Sequence, residues 1–172
     1  MPTRLQIARN DIFRFLDERP SPVLRQREIE AILTEQRDDW RLAQSTRNRD
    51  FIEYLSKSGK LKRLEFPFPH RKEIRYTWGD VPLQSVLLTL KPGCHFSHYT
   101  AVQMHDLTEQ DPKTIYLNFE QPAKPAPAGE LAQERIDAAF ARKPRMTNNI
   151  TRFGDLRICL LNGKNSGYLG LE

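Results

Sequence analysis

The sequence predicts an α+β protein in which short helices run into a charged β-ribbon, and three observations carry that reading. Residues 45–58 form a capped helical segment whose Phe51, Ile52 and Leu55 share one face at helical spacing, and Gly59 ends it, since glycine takes the left-handed conformation at no steric cost. Leu61–Phe66 and Ile74–Trp78 then read as two strands around a Pro67–Glu73 turn rich in Pro, His, Arg and Lys. Finally, residues 41–75 carry ten Lys/Arg against four Asp/Glu, a net of +6, while residues 1–40 sum to −1 and residues 76–172 to zero. A helix followed by a basic hairpin is the end of a winged helix-turn-helix, a unit that puts one helix in a DNA groove and a wing on the backbone. The predicted architecture is an N-terminal winged helix-turn-helix over residues 1–80, followed by a small α/β module over residues 81–172.

The first helix is expected over about Thr3–Glu18, with Leu5, Ala8, Ile12, Phe15 and Leu16 on one face. Arg19-Pro20-Ser21-Pro22 stops it, because proline cannot continue a helix and disfavours the α-region before it. A second helix follows over about Leu24–Gln36 with Ile29, Ile32 and Leu33 inward, and Asp38–Leu42 makes the turn. Ser45 or Thr46 is the expected cap of the third helix, since a hydroxyl satisfies an orphan backbone N–H. At 100° per residue, Thr46, Arg49, Asp50, Glu53, Lys57 and Lys60 fall opposite its core side, with Arg47 and Tyr54 flanking. Glu53 and Lys57 form an i,i+4 pair, so the exposed face is mixed rather than purely basic.

The second module begins near Val81. Pro82 suits a first helical position, and Leu83, Val86, Leu87 and Leu90 supply an apolar face. After Lys91-Pro92-Gly93, Ser97 caps a helix to about Leu107 with Tyr99, Ala101, Val102 and Met104 as burial candidates. Thr114–Glu120 alternates as a strand, and Gln121–Gly129 is too proline-rich for regular structure. Glu130–Arg142 reads as a helix carrying Leu131, Ile136, Ala139 and Phe140. Asn149–Phe153 and Leu156–Leu161 flank a Gly154-Asp155 turn as a hairpin.

The candidate DNA-binding residues follow from the charge and the wheel. Thr46, Arg47, Asn48 and Arg49 occupy the N-terminal turn that reaches base edges in many helix-turn-helix proteins. Arg bonds bidentately to guanine and Asn to adenine; Arg47 and Arg49 are preferred over Asn48, whose wheel position leans toward the core. Lys57, Lys60, Lys62 and Arg63 read as phosphate contacts, and Arg71, Lys72 and His70 as wing contacts.

Other chemistries find little footing. Cys94, His95, His98 and His105 are the one soft-ligand cluster, but their spacing matches no standard zinc signature, and packing or helix capping is the expected role. No phosphate loop of Walker or dinucleotide type occurs, and Asn162–Gly167 reads as a turn. Asp50, Glu53 and Glu65 lack the paired arrangement of a metal nuclease. The chain is therefore expected to be non-enzymatic and to need no cofactor. Trp40 and Trp78 are expected in the core or at the hairpin base. Mean hydropathy of −0.65, the lack of an apolar signal segment or membrane span, and only two cysteines predict a soluble cytoplasmic protein.

The segment Phe96–Phe119, FSHYTAVQMHDLTEQDPKTIYLNF, resembles the AbiEi family of type IV antitoxin transcriptional regulators. The likeness rests on Ser97, Thr100 and Ala101 in a helix, His105, Leu107 and Thr108 in a turn, and Pro112, Ile115, Tyr116 and Leu117 entering a strand. The LLNGKNSGYLG stretch near the chain end is similar to the same family, and Asp106 stands where the family typically has glycine. The resemblance implies a winged-helix domain joined to an α/β antitoxin domain, binding repeats in its own promoter and repressing a bicistronic operon. It also implies a cognate nucleotidyltransferase toxin, countered without a stable complex. The family normally continues with a further helical segment, so the chain reads as a fragment or as an antitoxin-like relative with another role in phage defence. The alternative is a non-enzymatic protein-docking subunit of a bacterial defence complex, with the winged helix as the docking surface. An accessory subunit of a nucleic-acid enzyme ranks below both.

Overall fold

The computed structural model describes residues 2–122, 132–143 and 146–164, and is mixed α+β, with seven helices and two sheets among the described residues. The chain divides into two compact units, Met1–Leu90 and Lys91–Glu172. The first unit extends ten residues past the predicted boundary. Among the described residues no helix is long and apolar enough to cross a membrane.

The first unit begins with α1 (Arg4–Ile7) and α2 (Arg9–Asp17) where one continuous helix was predicted. Ala8 stands between them at φ −79°, ψ 2°, outside the helical basin, and Ile7 turns out to solvent at 71% exposure. Ala8, Ile12 and Leu16 are buried as their spacing requires. Strand β1 (Val23–Leu24) replaces the predicted start of the second helix. The reason is long-range: Val23 and Leu24 pair antiparallel with Thr77 and Tyr76, after prolines that already favour extended backbone. Helix α3 (Gln26–Glu35) buries Ile29, Ile32 and Leu33.

Helix α4 (Asn48–Lys57) buries Phe51 and Leu55. Neither Ser45 nor Thr46 caps it; Arg47 is the N-cap, and its backbone N–H donates to the Asp50 carboxylate at 3.4 Å. Gly59, at φ 80°, turns the chain out of the helix into β2 (Leu61–Pro67), which pairs antiparallel with β3 (Lys72–Trp78). The sheet order is β1-β3-β2.

One apolar cluster joins Ile12, Leu16, Ile29, Leu33, Phe51 and Leu55 to Leu61, Tyr76 and Trp78 on the sheet. Trp40 lies in it, tilted against Phe51 at 5.9 Å and edge-on to Phe15 at 5.6 Å, so both tryptophans are core groups as expected. Residues of β3 from the opposite alternation, Glu73, Arg75 and Thr77, are also buried. For Arg75 the partner is the end of α5 (Leu83–Leu88), a helix predicted to open the second module but belonging to the first unit. Arg75 donates to the Thr89 and Leu90 carbonyls at 2.8 and 3.1 Å, to the Thr89 hydroxyl at 3.0 Å and to Glu73 at 3.2 Å. A cation at the C-terminal end of a helix satisfies carbonyls that lack intrahelical donors. Pro82 is the N-cap of α5 rather than its first helical residue.

The second unit holds a four-stranded sheet in the order β4-β5-β7-β6, built from β4 (His95–Phe96), β5 (Thr114–Glu120), β6 (Ile150–Phe153) and β7 (Leu156–Gly163). Strands β5 and β7 are parallel, and the other two pairings are antiparallel. Ile115, Leu117, Ile158, Cys159 and Leu160 are its buried apolar strand residues, with Thr151 of β6 buried beside them. Helix α6 (His98–Met104) is shorter than predicted and buries Thr100 alone, whose hydroxyl accepts from the Tyr116 N–H at 2.8 Å; Met104 is 52% exposed. Ser97 is the N-cap but its hydroxyl meets His98 Nδ1, at 3.1 Å, rather than a backbone N–H. Helix α7 (Gln133–Phe140) buries none of its described residues, and Phe140 is 86% exposed, so the predicted inward face is not inward. Asn162 and Gly163 continue β7 instead of turning. Leu131, the tract 123–129 and residues 165–167 lie outside the described residues.

Candidate nucleic-acid interface

Burying Phe51 and Leu55 fixes which face α4 can show. Arg47, Arg49, Asp50, Glu53 and Lys57 are exposed, Thr46 and Asn48 half-buried. Thr46 lies before the helix, and its carbonyl accepts from the Arg37 guanidinium at 3.1 Å. Asn48 leans inward as the wheel predicts: its Nδ2 donates to Glu30 of α3 at 2.8 Å, and its Oδ1 is buried without a partner among the described residues. Gln26 donates to the same Glu30 oxygen at 3.2 Å, so a polar network ties α3 to the first turn of α4. Arg47 and Arg49 form no salt bridge among the described residues.

The remaining candidate cations are matched to carboxylates. Lys57 pairs with Glu53 at 2.7 Å and Lys62 with Asp80. Lys60 reaches Asp17 at 3.1 Å and lies over the Phe13 and Trp78 rings, so it braces the base of the ribbon. On the ribbon, Glu65 holds Lys72 at 2.8 Å and Arg63 at 2.7 Å. Glu73 is shared by Arg71 at 2.8 Å and the buried Arg75 at 3.2 Å. Arg75 counted toward the basic excess in the sequence, yet at 3% exposure it cannot meet a phosphate. His70 stands exposed at the ribbon tip.

These partners set the acid chemistry of the surface. The Lys72 ammonium, then the Arg63 guanidinium, hold the Glu65 carboxyl below its ordinary range. The Trp78 indole N–H, donating at 2.7 Å, lowers Asp17 first, and Lys60 adds to it. The Glu53 carboxyl is lowered mainly by its hydrogen bond with Lys57, and Asp80 by that with Lys62. Burial pulls Arg75 below the usual guanidinium value, against the favourable Glu73 charge.

The soft-ligand residues of the second unit are spread over different elements. His95 is in β4, His98 opens α6, and His105 is its C-cap. No group of three or more His, Cys, Asp or Glu that could hold a metal ion occurs among the described residues. Burial pushes the Cys94 thiol up to about 11, and raises Cys159 as well, which keeps both in the weakly nucleophilic thiol form near neutral pH.

Two features escaped the sequence reading. Glu65 as the shared partner of two ribbon cations depends on strand register, which only the Arg63-x-Glu65 spacing hints at. The Glu30 contact to Asn48 spans 18 residues and carries no local signal. Compared with family models, curated proteins and solved structures, the chain matches none of them.

Proposed function

We propose that the chain is a sequence-specific DNA-binding transcriptional regulator of the AbiEi antitoxin type, repressing its own toxin–antitoxin or phage-defence operon. The observation that carries this reading is α4: one face is locked into the core by Phe51 and Leu55, while Arg47 and Arg49 stand exposed at its N-terminal turn and form no salt bridge among the described residues. Helices α2, α3 and α4 followed by the β2–β3 ribbon, with β1 as the third strand, supply the parts a winged helix-turn-helix requires. In this reading α4 enters the major groove, Arg47 and Arg49 meet guanine edges, and Arg71, Lys72 and His70 lie along the backbone. The paired lysines exchange a carboxylate for a phosphate, at small cost because exposed ion pairs are worth about 0–1 kcal/mol.

The family reading gains support at Asp106. This residue occupies the family's usual glycine position and has φ 55°, a left-handed conformation that glycine takes freely and Asp tolerates better than most residues. A cognate nucleotidyltransferase toxin is the partner this reading implies for the second unit. A reporter placed behind the DNA upstream of the gene should be repressed by the chain, and derepressed by the double change Arg47→Ala and Arg49→Ala. Unchanged repression in the double variant would remove α4 from the reading.

A docking role is the second reading, and the carboxylate matching of Lys57, Lys60, Lys62, Arg63, Arg71 and Lys72 favours it. Such a surface has a weak net field and suits a protein partner with its own alternating charges. A salt-insensitive protein complex together with no DNA affinity would decide for it.

A further inference from the structure

A cavity of about 560 Å³ lies beside α1 and α2, with the buried Ala8 and Trp40 in its lining. A second hollow of about 270 Å³ shares Asp11, Asp39 and Trp40 with it, so the two form one groove. Ile7 stands on the wall of the larger hollow, 71% exposed, just before the break at Ala8. An exposed isoleucine alone needs no explanation. Its charged surroundings are more specific.

Two cations and two anions line the larger hollow, Arg4 and Arg41 against Asp11 and Asp39, and all four are exposed. Arg4, Asp39 and Arg41 form no salt bridge among the described residues, and Asp11 meets only the exposed Arg14 there, at 2.9 Å. Such an exposed pair exchanges partners at little cost. Arg41 is held at φ 51°, a conformation uncommon outside glycine, with its N–H donating to the Asp38 carbonyl at 2.9 Å. Its own carbonyl accepts from the Arg4 guanidinium at 3.4 Å, which braces the turn against α1.

A face directed at nucleic acid or an anionic membrane would carry an excess of positive charge. This one is balanced, and the order of its charges is self-complementary. Arg4 lies three residues before Ile7 and Asp11 four residues after it, one helical turn to either side. The backbone ladder carries through the break, with Ala8 N–H on the Arg4 carbonyl and Ile12 N–H on the Ala8 carbonyl, both at 3.0 Å. Two antiparallel copies crossing at Ile7 therefore set Arg4 of each against Asp11 of the other. We propose that this face is the interface of a two-fold homodimer, with Ile7 meeting Ile7 at the axis and Arg4 and Asp11 pairing reciprocally across it. An isologous contact requires such a self-complementary patch, and an apolar centre inside a polar rim is the usual interface anatomy.

Dimerisation of this kind requires no DNA, so sedimentation equilibrium of the full chain alone tests it. The expected result is a reversible monomer–dimer equilibrium with a dissociation constant below about 100 µM. Ile7→Glu sets two carboxylates at the axis and should weaken the dimer by about tenfold or more. Arg4→Asp alone, and Asp11→Arg alone, each place like charges across the interface and should weaken it as well. An equal mixture of these two variants should dimerise again, because both reciprocal contacts then join opposite charges. The three side chains are exposed, so the thermal midpoints of the variants should stay near that of the parent chain. A chain that stays monomeric throughout, a dimer unaffected by Ile7→Glu, or a mixture no more dimeric than its two components would overturn the proposal.

Discussion

The first turn of α4 and the β2–β3 ribbon are both basic in sequence, yet they hold their charge in opposite ways. At the turn, Arg47 and Arg49 project from a helix anchored by Phe51 and form no salt bridge among the described residues. On the ribbon, Arg63 and Lys72 share Glu65, and Arg71 shares Glu73 with Arg75. A free guanidinium can be spent on a base edge, while a paired cation gives a phosphate only what it gains over its carboxylate. The comparison teaches that net charge locates a binding surface but does not rank its residues.

The largest expected effect comes from breaking the ribbon's own anchor. Replacing Arg75 with Met removes five hydrogen bonds and takes the guanidinium away from the buried Glu73, so unfolding should become easier by roughly 3 kcal/mol. A denaturant midpoint that stays put would show that Arg75 does not tie α5 to the ribbon. Next comes Arg47→Ala, expected to cost roughly 1–3 kcal/mol on the cognate site and little on scrambled DNA. Equal loss on both would reassign Arg47 to the phosphate backbone.

Smaller effects separate the ribbon further. Lys72→Ala should weaken all sequences alike and flatten the dependence of log affinity on log salt by about one unit. Glu65→Gln should do the reverse, tightening non-specific binding by less than about 1 kcal/mol as Arg63 and Lys72 are released. If Glu65→Gln leaves non-specific affinity unchanged, the carboxylate is not restraining those cations.

The smallest effect is an acid one. Asp17 has a folded pKa below its unfolded value, so its contribution is full above about pH 4 and fades as pH falls through the lower folded value. Asp17→Asn should therefore flatten the loss of stability on acidification below about pH 4. Identical acid limbs in the two proteins would contradict the Trp78–Asp17–Lys60 linkage.

What was legible in the sequence was local. Helices α3 and α4, the ribbon, β5 and the β6–β7 hairpin follow from periodicity and from turn residues such as Gly59 and Gly154, which act within a few positions. Strands β1 and β4 were not legible, since two residues carry no period and only a distant partner makes them strands. Arg75 was misread for the same reason. Alternation along β3 puts it opposite Tyr76, and a reader expecting solvent there does not know that α5 closes over that face. The apolar residues of α6 and α7 have helical spacing but too little neighbouring chain among the described residues to cover them, so Met104 and Phe140 stay exposed. At the candidate interface, the inward lean of Asn48 was readable from the wheel, whereas the pairing of the ribbon cations depended on register.

Fluorescence anisotropy across a salt series, with DNA upstream of the gene and a scrambled duplex of equal length, tests the central claim most directly. The account predicts at least about a thousandfold preference for the upstream DNA, persisting as salt weakens both complexes. Equal, steeply salt-dependent binding would reduce the surface to a non-specific one, and no binding to either duplex would contradict the account in favour of protein docking.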